Sequence, residues 1–199
     1  YHIGNNTGGL IPVADKPGFL TIENHKKAHI VFLQDAVTQL GGVPFVPRHY
    51  TDPASMPPYV PNAYDFTKAG TYAVFTDYNS FLVMAQAFED LGVHAINGQV
   101  EVFLGTNPLL IQILEMICTE GRHAAHVRLV RRFAGALEGP APWITNNIPP
   151  TIPLQYLYNG EDNVIQSDIT ITSLPDTYDP SGTVPQISAT AAFDETLDK

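Results

Sequence analysis

The segment NPLLIQILEMICTEGRHAAHVRLVRR, residues 107–132, constrains this chain more than any other. Asn107 is a natural N-cap, and Pro108 suits the first helical position because its missing N–H has no intrahelical partner there. No breaker follows for about seven turns. The spacing predicts one long helix over residues 107–134. Its apolar stripe runs through Ile113, Met116, Ile117, Ala124, Val127 and Val130, yet Glu120 and His123 fall on the same stripe, three residues apart. A carboxylate taken out of water costs several kcal/mol unless it is paired or bound to a cation, so Glu120 requires a partner.

Two further helices supply candidates. Phe19, Ile22, Leu33, Ala36, Val37 and Leu40 keep helical spacing up to Gly41-Gly42, which predicts a helix over 19–40 ended by glycine. Lys26 and His29 lie on its stripe, again three residues apart. A helix over 79–103, capped by Asn79 or Ser80, has Leu82, Ala85, Val93, Ile96 and Val100 on its apolar face, and Glu89 among them. Only Gly105 and Thr106 separate it from Asn107, so these last two helices are expected to be antiparallel neighbours. Glu-x-x-His projecting into a bundle core, with a further glutamate from a neighbouring helix, is how dinuclear iron and manganese carboxylate centres are built.

The rest of the chain is irregular. Residues 1–18 hold four glycines and two prolines and make no core helix. Residues 43–78, with prolines at 44, 47, 53, 57, 58 and 61, are too long for a hairpin and suit a crossover between the ends of a bundle. Residues 140–199 carry one basic residue, Lys199, against eight acids. They are expected to form an acidic, proline-rich tail on a helical domain of residues 19–139. Trp143, Tyr156 and Phe193 are its expected anchors, and QYLY and DITIT its candidate strands.

Composition excludes several functions. A net charge of −10 gives no basic face for nucleic acid. No run of about 18 apolar residues exists to span a membrane. The single cysteine, Cys118, rules out an internal disulfide and reads as a small core residue. His94 and His126 lie off the stripes, and His2, His25 and His49 have no constellation around them. Phosphate-binding glycine loops, nucleophile elbows, His-Glu-x-x-His and Cys-x-x-Cys are all absent.

The segments FEDLGVHAINGQ (88–99) and EGRHAAHVR (120–128) resemble the ferritin-like domain family, in the diverged branch that contains bacterial exported ferritin-like proteins and plant desiccation-related proteins. The tail pieces YNGEDN (158–163) and AFDETL (192–197) are similar to the bacterial members. The resemblance implies an all-α, four-helix bundle with one long crossover at 43–78, and an exported protein. It also implies that the family's first helix, with its glutamate, belongs before Tyr1. An apolar helix from an upstream segment or a protein partner is then expected to complete the bundle.

Carried over residue by residue, the family's metal pattern matches Glu89, Glu120, His123 and His29. The remaining second-helix glutamate position holds Lys26. An ammonium there compensates buried acids as a metal would, so Lys26 is expected to meet Glu89 or Glu120. The expectation is a degenerate site without a cofactor, in a structural or stress-associated protein or a subunit of a larger assembly. The alternative is an oxidoreductase or metal-binding protein holding iron or manganese on the remaining ligands.

Overall fold

The computed structural model describes residues 9–44, 70–105, 108–134 and 141–196. The chain separates into two compact units, Tyr1–Phe81 and Leu82–Lys199. Among the described residues the architecture is mostly helical, with two short strands in the C-terminal region. Among the described residues, no helix is long and apolar enough to cross a membrane.

In the first unit, helix α1 spans Lys16–Gln39. It begins three residues before the predicted start because Pro17 lies in the first turn, where proline is tolerated rather than disruptive. Asp15 makes no capping bond with its side chain, which instead accepts a 2.7 Å hydrogen bond from the Tyr78 hydroxyl. Phe19 is fully buried, edge-on to Phe81 at 5.1 Å. The predicted glycine stop is present. Gly41 has φ +80° and donates to Thr38 O, while Gly42 donates to Val37 O, the paired closure that satisfies the last carbonyls of a helix. Only Phe19, Ile22, Glu23 and Ala36 are buried on α1; Leu33, Val37 and Leu40 of the predicted stripe are exposed. Residues 45–69 of the expected crossover lie outside the described residues.

Helix α2, Tyr78–Asn97, runs from the end of the first unit into the second. Its cap is Asp77, whose carboxylate accepts the Ser80 N–H at 2.7 Å, rather than the predicted Asn79 or Ser80. That hydrogen bond holds the Asp77 carboxyl below its ordinary range. The helix also stops earlier than predicted, at Asn97-Gly98, and Val100–Phe103 continues as a separate 3-10 turn. Helix α3 spans Leu110–Phe133; the predicted Asn107 cap lies outside the described residues. Side-chain bonds tie α3 to α2 from Arg131 to Gln86 and from Arg128 to Asp90, an order that requires antiparallel helices.

The tail adds a 3-10 helix, Ile152–Tyr158, where the QYLY strand was expected. Its three-residue period puts Leu154 and Leu157 on one side, both buried, and Tyr158 is completely buried. The DITIT expectation holds in part. Strand β1, Ile165–Gln166, pairs antiparallel with β2, Ile169–Thr170, through a two-residue turn in which Ser167 and Asp168 both have positive φ. A 3-10 turn, Ile171–Ser173, and a short helix α4, Gln186–Ala191, follow. Trp143, Tyr156 and Phe193 are exposed, so the tail is anchored instead by Leu154, Tyr158, Glu161, Ala189 and Thr190.

The buried link between these layers is a triad. Arg128 forks onto both carboxylate oxygens of Asp90, and the Tyr158 hydroxyl donates to the same carboxylate. Asp90 is 1% and Arg128 3% exposed. Arg128→Leu strands the Asp90 charge and is expected to lower stability by about 3–5 kcal/mol. The double change Asp90→Leu, Arg128→Leu is expected to lose less. Urea unfolding of both variants, followed by far-UV circular dichroism, measures the difference.

Candidate functional site

The second unit brings three of the predicted site residues together. Helical spacing places Glu120 and His123 on one face of α3, and the antiparallel approach of α2 brings Glu89 to meet them. His123 Nδ1 lies 3.3 Å from Glu89 Oε2 and 3.5 Å from Glu120 Oε2. Exposure is 0% for Glu89, 2% for Glu120 and 5% for His123. Burial pushes the imidazole toward its neutral form, but Glu120 and Glu89 outweigh it and hold His123 above its ordinary pKa. The cluster thus combines two acids with an imidazole that favours its cationic state. Its donor atoms all lie within 4.8 Å of one another, close enough to converge on one metal ion.

The other predicted positions are on α1 in the first unit. Lys26 and His29 are both half-buried there. Glu23, which the sequence reading did not single out, is the buried acid of this helix and pairs with Lys27 at 2.5 Å. Cys118, expected in the core, is exposed.

A second cluster escaped the sequence reading. His94 lies off the stripe, about 140° around α2 from Glu89, yet it is only 2% exposed. That side of the helix is covered by the tail. His94 Nε2 lies 3.0 Å from Glu161 Oε1 and 3.0 Å from Asp194 Oδ1. Both acids belong to the tail pieces YNGEDN and AFDETL, so the signal was present as two acidic segments whose target on the helix had no local marker. The Tyr158 ring stands edge-on to His94 at 6.4 Å. Burial works against the imidazolium, but Asp194 and Glu161 prevail and raise His94 to about 10. Burial raises the Glu161 carboxyl against the opposing pull of His94.

Beside this cluster is a cavity of about 260 Å³ whose lining includes Asp90, Arg128, Trp143, Phe193 and Asp194. It explains why Trp143 and Phe193 are exposed: they form its wall rather than a core.

The model of the ferritin-like domain family matches residues 4–132. No curated protein and no solved structure matches the chain significantly.

The charge state of His94 has a measurable consequence. Its folded pKa of about 10 lies above the ordinary imidazole value, so the stabilisation is complete below pH about 6.5 and is lost as pH rises toward 10. Glu161, Asp194 and Asp90 are the acids acting on it, and Asp90 is itself held by Arg128. In chelator-treated protein, the melting temperature should fall by roughly a few degrees across this window. Asp194→Asn should flatten that slope, as differential scanning calorimetry at stepped pH would reveal.

Proposed function

Because the chain belongs to the ferritin-like domain family, we propose that it is a bundle protein in which the family's two-metal centre has degenerated, leaving a structural or stress-associated role. The observation that carries this reading is the composition of the Glu89, Glu120 and His123 cluster. Among the described residues three donors converge, two acids and an imidazole, with the imidazole Nδ1 within 3.5 Å of both acids. A pair of ions bridged by carboxylates needs about twice that donor set. These residues do not fit a pair, and the matched position on α1 holds Lys26, a cation where the pattern requires a glutamate.

One specific observation favours a second reading. The three donor atoms are mutually within 4.8 Å and fully buried, which suits a single iron or manganese ion. Held there, such an ion would supply Lewis-acid or redox chemistry, and Glu89, Glu120 and His123 would be its ligands. Export from the cytoplasm, and membership of the branch with exported and desiccation-related proteins, belong to the same proposal and rest on the resemblance of the tail segments.

A role inside a larger assembly is supported by an uncovered apolar line. Ile111 and Leu114 on α3 are 64% and 44% exposed, and Cys118 continues their stripe. A helix from a protein partner, or from a segment upstream of residue 1, is the occupant this reading assigns to it.

The test compares wild type with Glu89→Gln. Under the degenerate-site proposal, both carry the same iron and manganese content by plasma mass spectrometry and oxidise added Fe²⁺ at the same rate. Loss of one metal equivalent, or of faster oxidation, in Glu89→Gln would establish the single-ion reading instead.

A further inference from the structure

The tail of this chain closes on α2 through His94, Glu161 and Asp194, and we propose that these three side chains form a mononuclear site for a divalent transition ion of the Zn²⁺ class. It is separate from the Glu89, Glu120 and His123 cluster and does not depend on the function proposed for it. Imidazole nitrogen with two carboxylate oxygens is a donor set for ions of intermediate softness, and is poorly matched to the oxygen-only preference of Ca²⁺ or Mg²⁺.

The geometry is close to that of a coordination shell. Around tetrahedral Zn²⁺, nitrogen and oxygen donors sit at about 2.0–2.2 Å, which places neighbouring donors roughly 3.4 Å apart. His94 Nε2 is 3.0 Å from each carboxylate, and the three donor atoms lie within 4.8 Å of one another. An ion replacing the imidazole proton therefore needs only small side-chain adjustments. Glu161 has capacity to spare: it is 1% exposed, and its Oε2 is buried without a hydrogen-bond partner.

The ligands are also held in place. The backbone N–H of Glu195 donates to Glu161 Oε1 at 3.1 Å, and Asn97 donates from its amide to the Asp194 carbonyl at 2.9 Å. Glu195 in turn accepts hydrogen bonds from Asn163 at 3.1 Å and Gln166 at 2.6 Å. These bonds fix the tail against both the end of α2 and the hairpin, and they orient ligands drawn from three separate stretches of chain. Access comes from one side. His94 and Glu161 are buried, whereas the Asp194 side chain is 43% exposed and lines the 260 Å³ cavity. Of the three ligands Asp194 alone borders the cavity, so a fourth position for water would open on its side, the arrangement of an open site rather than a closed structural one. Binding there would tie residues 194–195 to the helix.

Zn²⁺ titration of the chelator-stripped full chain by isothermal calorimetry tests the site, with Asp194→Asn, His94→Ala and Glu120→Gln as variants. Wild type is expected to bind Zn²⁺, and Asp194→Asn and His94→Ala to weaken that binding at least about tenfold whether or not Glu120 is replaced. Hydrogen exchange in residues 192–196 is expected to slow on adding Zn²⁺ in wild type but not in Asp194→Asn. The half-exposed Asp194 keeps the test valid if His94→Ala fails to fold. Failure of wild type to bind Zn²⁺, or wild-type affinity in Asp194→Asn, would overturn the assignment. Weakening by Glu120→Gln alone would assign the ion to the other cluster.

Discussion

A helix that buries polar side chains on several sides must be supplied with partners on each of them, and α2 is such a helix. Within nine residues it buries Gln86, Glu89, Asp90 and His94, none of which tolerates desolvation without compensation. Each recruits a different part of the second unit. Gln86 accepts from Arg131, Asp90 takes the Arg128 fork and the Tyr158 hydroxyl, Glu89 faces His123, and His94 faces the two acids of the tail. The antiparallel placement of α3, the position of the 3-10 helix and the path of the C-terminal segment all satisfy this demand. Apolar packing through Leu82, Val93, Val127 and Leu154 supplies the bulk of the burial, but it is not directional and would permit other registers.

The two histidine clusters differ in what holds them. Glu89, Glu120 and His123 all stand on regular helices, whose hydrogen-bonded backbones fix the points from which the side chains project. His94 stands on the same helix, but both of its acids come from irregular chain, and they are positioned by side-chain and backbone bonds from Asn97, Glu195, Asn163 and Gln166. The first cluster is therefore part of the bundle itself. The second is part of the closure of the tail, and anything that binds to it acts on the C-terminal end of the chain.

The contrast follows from the energetics of each setting. Between α2 and α3, charges are nearly inaccessible to water, and the His123 imidazole compensates two carboxylates from within. At the tail, Asp194 reaches solvent, so its contribution is screened while that of buried Glu161 is not. The cavity walled by Trp143 and Phe193 also borders Asp194, so the exposed edge of the clasp opens into it.

The sequence by itself determined what is periodic. Three long helices, the glycine closure at Gly41-Gly42 and the shared face of Glu120 and His123 all follow from the 3.6-residue repeat and from local backbone preferences, which act within a few residues. Glu89 was legible for the same reason, as an acid out of place on an apolar stripe. Tertiary structure decided what lies far apart in the chain. Nothing local marks Glu161 and Asp194 as partners of His94, because they come from segments without a repeat, 67 and 100 positions further along. Likewise, a stripe indicates which face of a helix can be buried, not whether another element covers it. Leu33, Val37 and Leu40 have the spacing of a core yet are exposed, whereas His94, off the apolar stripe, is enclosed by the tail.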